Sequence, residues 1–321
     1  MKKLALLLGS LLVVGATASA KEAVVAPVEV SKEVVVVAEP VAEIVVIEEA
    51  PTLKLTSIKT GIWSENKTGS TNGNLGSNSA RLYTNFAYGD NWTGSFAMRR
   101  YFTSNTKDSY GDNDLFAKGN TRTYVGVERS NIFDNYSLGF TYISQNSWDK
   151  FDLTLGFAPT NWLSGYFLYE YASRQNNEGD YDGSDSNYVE FQPKLSYNGW
   201  GVSYYFEGEY AIENDAEYTY QQIRLFTPKA KLGKFAVSGE YRGYITYDSK
   251  DVDGKDKYGM GDSMKDAFDV NRFYAHTTYE LTSSTTLFTS LGYQFGKWEN
   301  TKGNKKDQDM TIVETGVTIK F

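Results

Sequence analysis

The sequence predicts an all-β fold: a transmembrane antiparallel β-barrel of about fourteen strands over residues 52–321. Three observations predict it. From Thr52 onward, stretches close to ten residues long alternate between apolar and polar side chains, the length and period of tilted spanning strands. Short turns and longer polar loops take turns between those stretches. The composition is aromatic yet polar, with Tyr 25, Phe 18, Trp 6 and Gly 29 but Pro only 6, 40% hydrophobic and 22% charged. That is too polar for a helical membrane protein and suits a sheet in which every second residue faces water.

The first segment, 1–20, reads as a secretory signal. Lys2 and Lys3 form its basic start, Leu4 to Val14 its apolar core, and Ala18-Ser19-Ala20 a small-x-small cleavage site. The core is too short to span a bilayer, so the mature chain is expected to begin at Lys21. The chain has no Cys, hence no disulfide framework and no lipoprotein signal. Without Lys2 and Lys3 the chain carries 32 − 2 = 30 basic against 40 acidic side chains, which excludes a basic nucleic-acid-binding face.

Residues 21–51 are Val-, Glu- and Pro-rich, with Pro27, Pro40 and Pro51 spacing the run and no Gly or aromatic in it. The β-branched residues disfavour helix. The segment reads as an extended periplasmic tether or, alternatively, a strand that pairs with a periplasmic or cell-wall partner.

The expected strands are 52–63, 80–90, 92–103, 120–129, 135–145, 150–158, 162–173, 187–197, 200–211, 218–230, 235–247, 270–281, 286–297 and 309–321. In 80–90, Leu82, Thr84, Phe86 and Tyr88 oppose Arg81, Tyr83 and Asn85. In 187–197, Val189, Phe191 and Leu195 oppose Glu190, Gln192 and Lys194. The stretch 218–230 loses its parity between Leu225 and Phe226, so a bulge is expected there. In the last strand Thr311, Val313, Thr315, Val317, Ile319 and Phe321 share one face. Aromatic rings beside the short turns, among them Tyr88, Trp92, Trp162, Tyr197, Trp200 and Phe321, form an interfacial belt. A soluble sandwich could use the same alternation but does not explain near-equal strands with one-sided loops.

The leader M-K-K-L-A-L-L-L-G-S-L-L-V-V-G, then Ala18-Ser19-Ala20-Lys21-Glu22 and the Val/Glu/Pro-rich segment, resembles the fusobacterial major outer-membrane porin of the FomA type over about the first fifty residues. The barrel is similar to that family in length, alternation and terminal Phe321. The resemblance implies a voltage-sensitive, rather unselective diffusion channel for ions and small hydrophilic solutes, trimeric, in a Gram-negative outer membrane. Val317-x-Ile319-x-Phe321 is similar to the signal read by the barrel-assembly machinery. Expected partners are outer-membrane lipid and lipopolysaccharide, that machinery and two further copies in a homotrimer, with no nucleic acid, no cofactor and no reaction.

Parity points Arg81, Arg99, Arg122, Arg224, Arg242 and Arg272 inward, with Glu170, Glu190, Glu207, Glu209, Glu240 and Lys194. The Arg cluster on strands 2–4 and 10–12 and four of the Glu on strands 7–9. The expectation is either opposed arcs of charge across a water-filled lumen or cross-strand pairs that fill it. His276, the sole His, shares its strand face with Thr278 and Glu280 but no Ser, so a hydrolase has little support. Asp180-Tyr-Asp182-Gly183-Ser-Asp185 and Asp251-Val-Asp253-Gly254-Lys-Asp256 resemble calcium loops, but Met260 stands where an EF-hand needs Glu, so they read as acidic turns. The alternative function is a surface adhesin that acts through the long loops, especially 248–269.

Overall fold

The computed structural model describes residues 51–67, 75–102, 121–145, 148–174, 184–250, 262–264, 266–300, 305–307 and 309–321. The signal and tether, most of the long loops, and the carboxylates Asp180, Asp182, Asp251, Asp253 and Asp256 lie outside the described residues.

Fourteen antiparallel strands form one closed sheet. They are β1 (Leu53–Lys67), β2 (Leu75–Tyr88), β3 (Trp92–Phe102), β4 (Thr121–Arg129), β5 (Tyr136–Gln145), β6 (Trp148–Phe157) and β7 (Leu163–Arg174). The circuit continues through β8 (Ser186–Tyr197), β9 (Trp200–Ala211), β10 (Glu217–Phe226), β11 (Phe235–Lys250), β12 (Val270–Glu280), β13 (Thr285–Asn300) and β14 (Met310–Lys320). Each strand pairs with its neighbours in sequence, and β14 pairs with β1 from Ser57↔Lys320 to Lys67↔Met310. Short strands at Ala230–Leu232, Asp262–Ser263 and Lys305–Asp307 extend the sheet at its margins.

Closure explains the sequence pattern. A closed sheet leaves no unpaired edge in hydrocarbon, and alternation gives it an apolar outer face and a polar inner one. The outer face exposes Leu153, Phe167, Leu195, Phe273 and Leu291. Its short-turn rim carries Tyr88, Trp92, Trp162, Tyr197, Trp200 and Phe321, all exposed, at the position of the expected aromatic belt. The turns are built for sharp reversal. Asn198 and Gly199 both take positive φ, 48° and 82°, between the paired Tyr197 and Trp200. Two such residues make the primed turn whose twist matches an antiparallel pair.

The stretch 218–230 is irregular against one neighbour only. β10 pairs regularly with β9, so it carries no bulge against that neighbour. The register shift is against β11, where Gln221↔Thr246 is followed by Gln222↔Tyr244, leaving Ile245 as the extra residue. A further extra residue lies just past β10: Phe226 pairs with Glu240 and Ala230 with Val237, four residues against three, with the Thr227 N–H bonding the Gly239 carbonyl at 3.0 Å between them. Another shift places Thr56 between the Leu55 and Ser57 pairings. Strands β1, β2, β11 and β13 also run further towards the long-loop rim than the alternation indicates.

Candidate functional site

The inward side chains form a level girdle. Arg81 stands seven residues from Tyr88, Arg99 seven from Trp92 and Arg122 seven from Arg129, the short-turn ends of their strands. Lys150, Glu170, Glu190 and Glu207 stand seven residues from Phe157, Leu163, Tyr197 and Trp200. Arg242 is seven from Phe235 and Arg272 eight from Glu280. At about 3.3 Å per residue and a tilt near 40°, that level lies about 18 Å above the short-turn rim. The order around the barrel is three Arg, a Lys, three Glu, then three Arg, Arg224 included. Of the remaining candidates, Lys194 and Glu240 stand off this level, three and five residues from Tyr197 and Phe235, and Glu209 is nine from Trp200, whereas Arg224 is eight from Leu232 at the short-turn end and so belongs to the girdle.

Register joins the girdle across strands. Arg81 pairs with Arg99 and Arg99 with Arg122; Arg224 pairs with Arg242 and Arg242 with Arg272. Like charges in direct opposition repel, and aromatic rings relieve this by backing the guanidinium faces. Arg81 sits 4.3 Å from the Trp63 ring centre, Arg99 5.0 Å from Tyr124, and Arg122 4.6 Å from Trp148. Arg224 lies 3.4 Å from the Tyr205 ring. Arg81 Nε donates to Ser79 at 3.1 Å and Arg122 Nε to Gln145 at 2.8 Å. Arg81, Arg99 and Arg122 form no ion pair among the described residues, and Arg99 Nε is buried without a hydrogen bond.

The carboxylates are engaged differently. Glu207 accepts from the hydroxyls of Tyr205 (2.5 Å), Tyr218 (2.7 Å) and Tyr220. Its register partner Glu190 accepts from Tyr166 and from Tyr188 at 2.7 Å. Glu170 pairs with Lys150, and Glu209 with Arg174 at 2.8 Å while also accepting from Ser186. Glu240 receives Arg242 Nε at 2.5 Å. Asp185, from one acidic turn, accepts from the Tyr171 hydroxyl and from the Arg174 N–H at 2.9 Å. Lys194 lies over Phe226 at 4.2 Å. The tyrosines were missed in sequence, although Tyr188-x-Glu190, Tyr205-x-Glu207 and Tyr218-x-Tyr220 carry the spacing that puts both members on one strand face.

His276 has a hydroxyl partner after all, from the neighbouring strand rather than its own. Its Nδ1 lies 2.8 Å from Ser290 Oγ, and its Nε2 3.4 Å from Glu240. With the Nε2 proton on the Glu240 side, Nδ1 accepts from the Ser290 hydroxyl. This sets base beside nucleophile. Ser290, however, pairs with His276 on one side and Glu314 on the other. The ladder on both flanks occupies the backbone N–H groups that would have to stabilise an oxyanion. Among the described residues, no group of three or more His, Cys, Asp or Glu could hold a metal.

Neither a protein-family model nor a curated protein matches the sequence. Solved structures do resemble the fold. The anion-selective porin from Comamonas acidovorans is 10% identical with a TM-score of 0.45, over 85% of this chain and 100% of that one. The outer membrane channel DcaP of Acinetobacter baumannii is 12% identical with a TM-score of 0.45, over 85% and 98%. The CymD monoaromatic hydrocarbon channel is 7% identical with a TM-score of 0.48, over 85% and 90%.

Proposed function

We propose that the chain is a diffusion channel of a Gram-negative outer membrane that passes ions and small hydrophilic solutes and catalyses no reaction. The observation that carries the reading is the charged girdle inside a barrel whose outside is apolar. Fourteen strands about 4.8 Å apart and tilted near 40° give a backbone radius of about 14 Å, while long side chains reach inward roughly 7 Å, so water space remains at the axis. A charged ring in that space is hydrated and acts on whatever passes.

The same reading takes residues 1–20 as a cleaved signal and 21–51 as a periplasmic tether. It takes the strand ending at Phe321 as the segment met by the barrel-assembly machinery. A FomA-type, voltage-sensitive homotrimer belongs to this reading as its most specific form. Conductance decides it. Protein extracted from outer membranes and inserted into a planar bilayer gives discrete current steps. A silent bilayer, with the folded state verified by heat-shifted gel mobility, rejects the channel.

A further inference from the structure

The two halves of the inner wall are built differently. On β9–β14, large inner side chains are packed against one another: Tyr205 is 5% exposed, Gln222 1%, Tyr244 5% and Gln294 2%. Tyr220 links this wall, its ring 5.7 Å from Tyr205 and 5.6 Å from Tyr244. Arg224 is held flat beneath, 8% exposed and bonded to Gln222 and Gln192. Arg242 and Arg272 on this wall are half-buried and tied to Glu240 and to Gln294 and Tyr274, whereas Arg81, Arg99 and Arg122 on β2–β4 are equally half-buried but make no ion pair among the described residues. Side chains bonded to one another along β9–β14 offer a solute few free polar groups, which leaves β2–β4 as the wall a polar solute can engage.

We infer that the conducting path is eccentric, running along β2–β4, and that Arg81, Arg99 and Arg122 there form a subsite for small oxyanions such as carboxylates and phosphate. The inference rests on the channel reading above and names its solute class. Each guanidinium has five N–H donors in a fork that matches an oxyanion. Internal hydrogen bonds take one donor on Arg81 and one on Arg122, and the rings behind them face the wall. The terminal Nη groups of the three form no ion pair among the described residues. The carboxylates at the same level cannot compensate by holding cations. Glu190 and Glu207 are covered by five tyrosine hydroxyls, Glu170 is paired with Lys150, and Glu314 with Lys59 at 3.2 Å. The formal net charge of −8 does not decide the matter, because charge beyond about 10 Å is screened at 0.1 M salt.

The test is the reversal potential of protein extracted from outer membranes, in a planar bilayer under a tenfold KCl gradient centred near 0.1 M. Native protein, the triple variant Arg81→Gln/Arg99→Gln/Arg122→Gln and the charge-keeping Arg81→Lys/Arg99→Lys/Arg122→Lys are compared, each shown folded by heat-shifted gel mobility. The expected chloride-to-potassium permeability ratio is above about 2 in the native and Lys proteins and falls to about 1 or below in the Gln protein. Inorganic phosphate added at millimolar concentration is expected to reduce native chloride current and to leave the Gln current unchanged. Conductance with a native cation preference, or a ratio equal in native and Gln proteins, overturns this inference and leaves the channel standing. If the Gln triple variant does not fold, Arg99→Gln alone carries the test, with a fall in the ratio expected and no fall overturning it. Absence of any conductance overturns both.

Discussion

Gly61 and Gly316 face each other across the seam where β14 meets β1, and the Phe288 ring closes over both. A Cβ on Gly316 would meet the Thr60 carbonyl oxygen at 2.1 Å and the Phe288 ring edge at 2.7 Å. Lys59 lies 4.3 Å from the centre of that ring and pairs with Glu314 at 3.2 Å. A ring laid over paired glycines fills the space their missing side chains leave, which fixes the register of closure.

Gly316→Val is therefore expected to weaken closure. The near atoms are backbone and cannot yield, so the loss is about 1–3 kcal/mol, the range of core overpacking. Urea unfolding followed by heat-shifted gel mobility measures it. An unchanged midpoint would show that the seam tolerates a side chain there.

Gly199→Ala strains the β8–β9 turn. The residue sits at φ 82°, and an added Cβ lies 3.1 Å from Pro228. A left-handed conformation costs an L residue about 1–2 kcal/mol. Fluorescence of the adjacent Trp200 during urea unfolding reads the change.

Glu207 organises the packed wall, so its removal leaves several partners behind. Glu207→Leu removes the acceptor of Tyr205 and Tyr220 and one partner of Tyr218 at once. Leaving buried donors unsatisfied costs about 1–3 kcal/mol each when fully dry, and water in the lumen reduces that. The expected loss is about 2–4 kcal/mol, against a smaller one for Glu207→Gln, which keeps an acceptor. Equal midpoints for the two variants would remove the acceptor argument.

The outer face makes the opposite demand. Leu153 is 47% exposed on the outside, four residues from the short-turn end of β6 at Phe157. Leu153→Arg puts a charge near the hydrocarbon midplane and is expected to cost about 2–4 kcal/mol in a lipid vesicle. In a detergent micelle the penalty is expected to shrink. A penalty equal in both media would contradict a lipid-facing Leu153.

Much of this architecture was legible because the barrel obeys one rule. Period-two alternation, set by hydrocarbon outside and water inside, gave the inward parity of Arg81, Arg99 and Arg122, and the belt at Trp162, Tyr197 and Trp200. The rule fails where both faces meet water. That is why the extensions of β1 to Lys67, β11 to Lys250 and β13 to Asn300 were not delimited. Parity also says nothing of contacts across strands. It gave His276 no Ser because Ser290 comes from β13. It showed Glu190 and Glu207 as charges but not the tyrosines that take up their oxygens. Bulges are local register choices between two strands, so the extra residue at Ile245 left no mark in the sequence of either strand alone.

The channel account meets its most direct test at Arg99. The chain has no Cys, so Arg99→Cys introduces one reactive thiol at the girdle. A positively charged, membrane-impermeant thiol reagent is added while single-channel current is recorded. The account predicts a stepwise, irreversible fall in current as each lumen is modified. It also predicts no fall for Ser203→Cys, which lies buried in the packed wall at 2% exposure. Current unchanged after Arg99→Cys is shown to be labelled would contradict a path past the girdle.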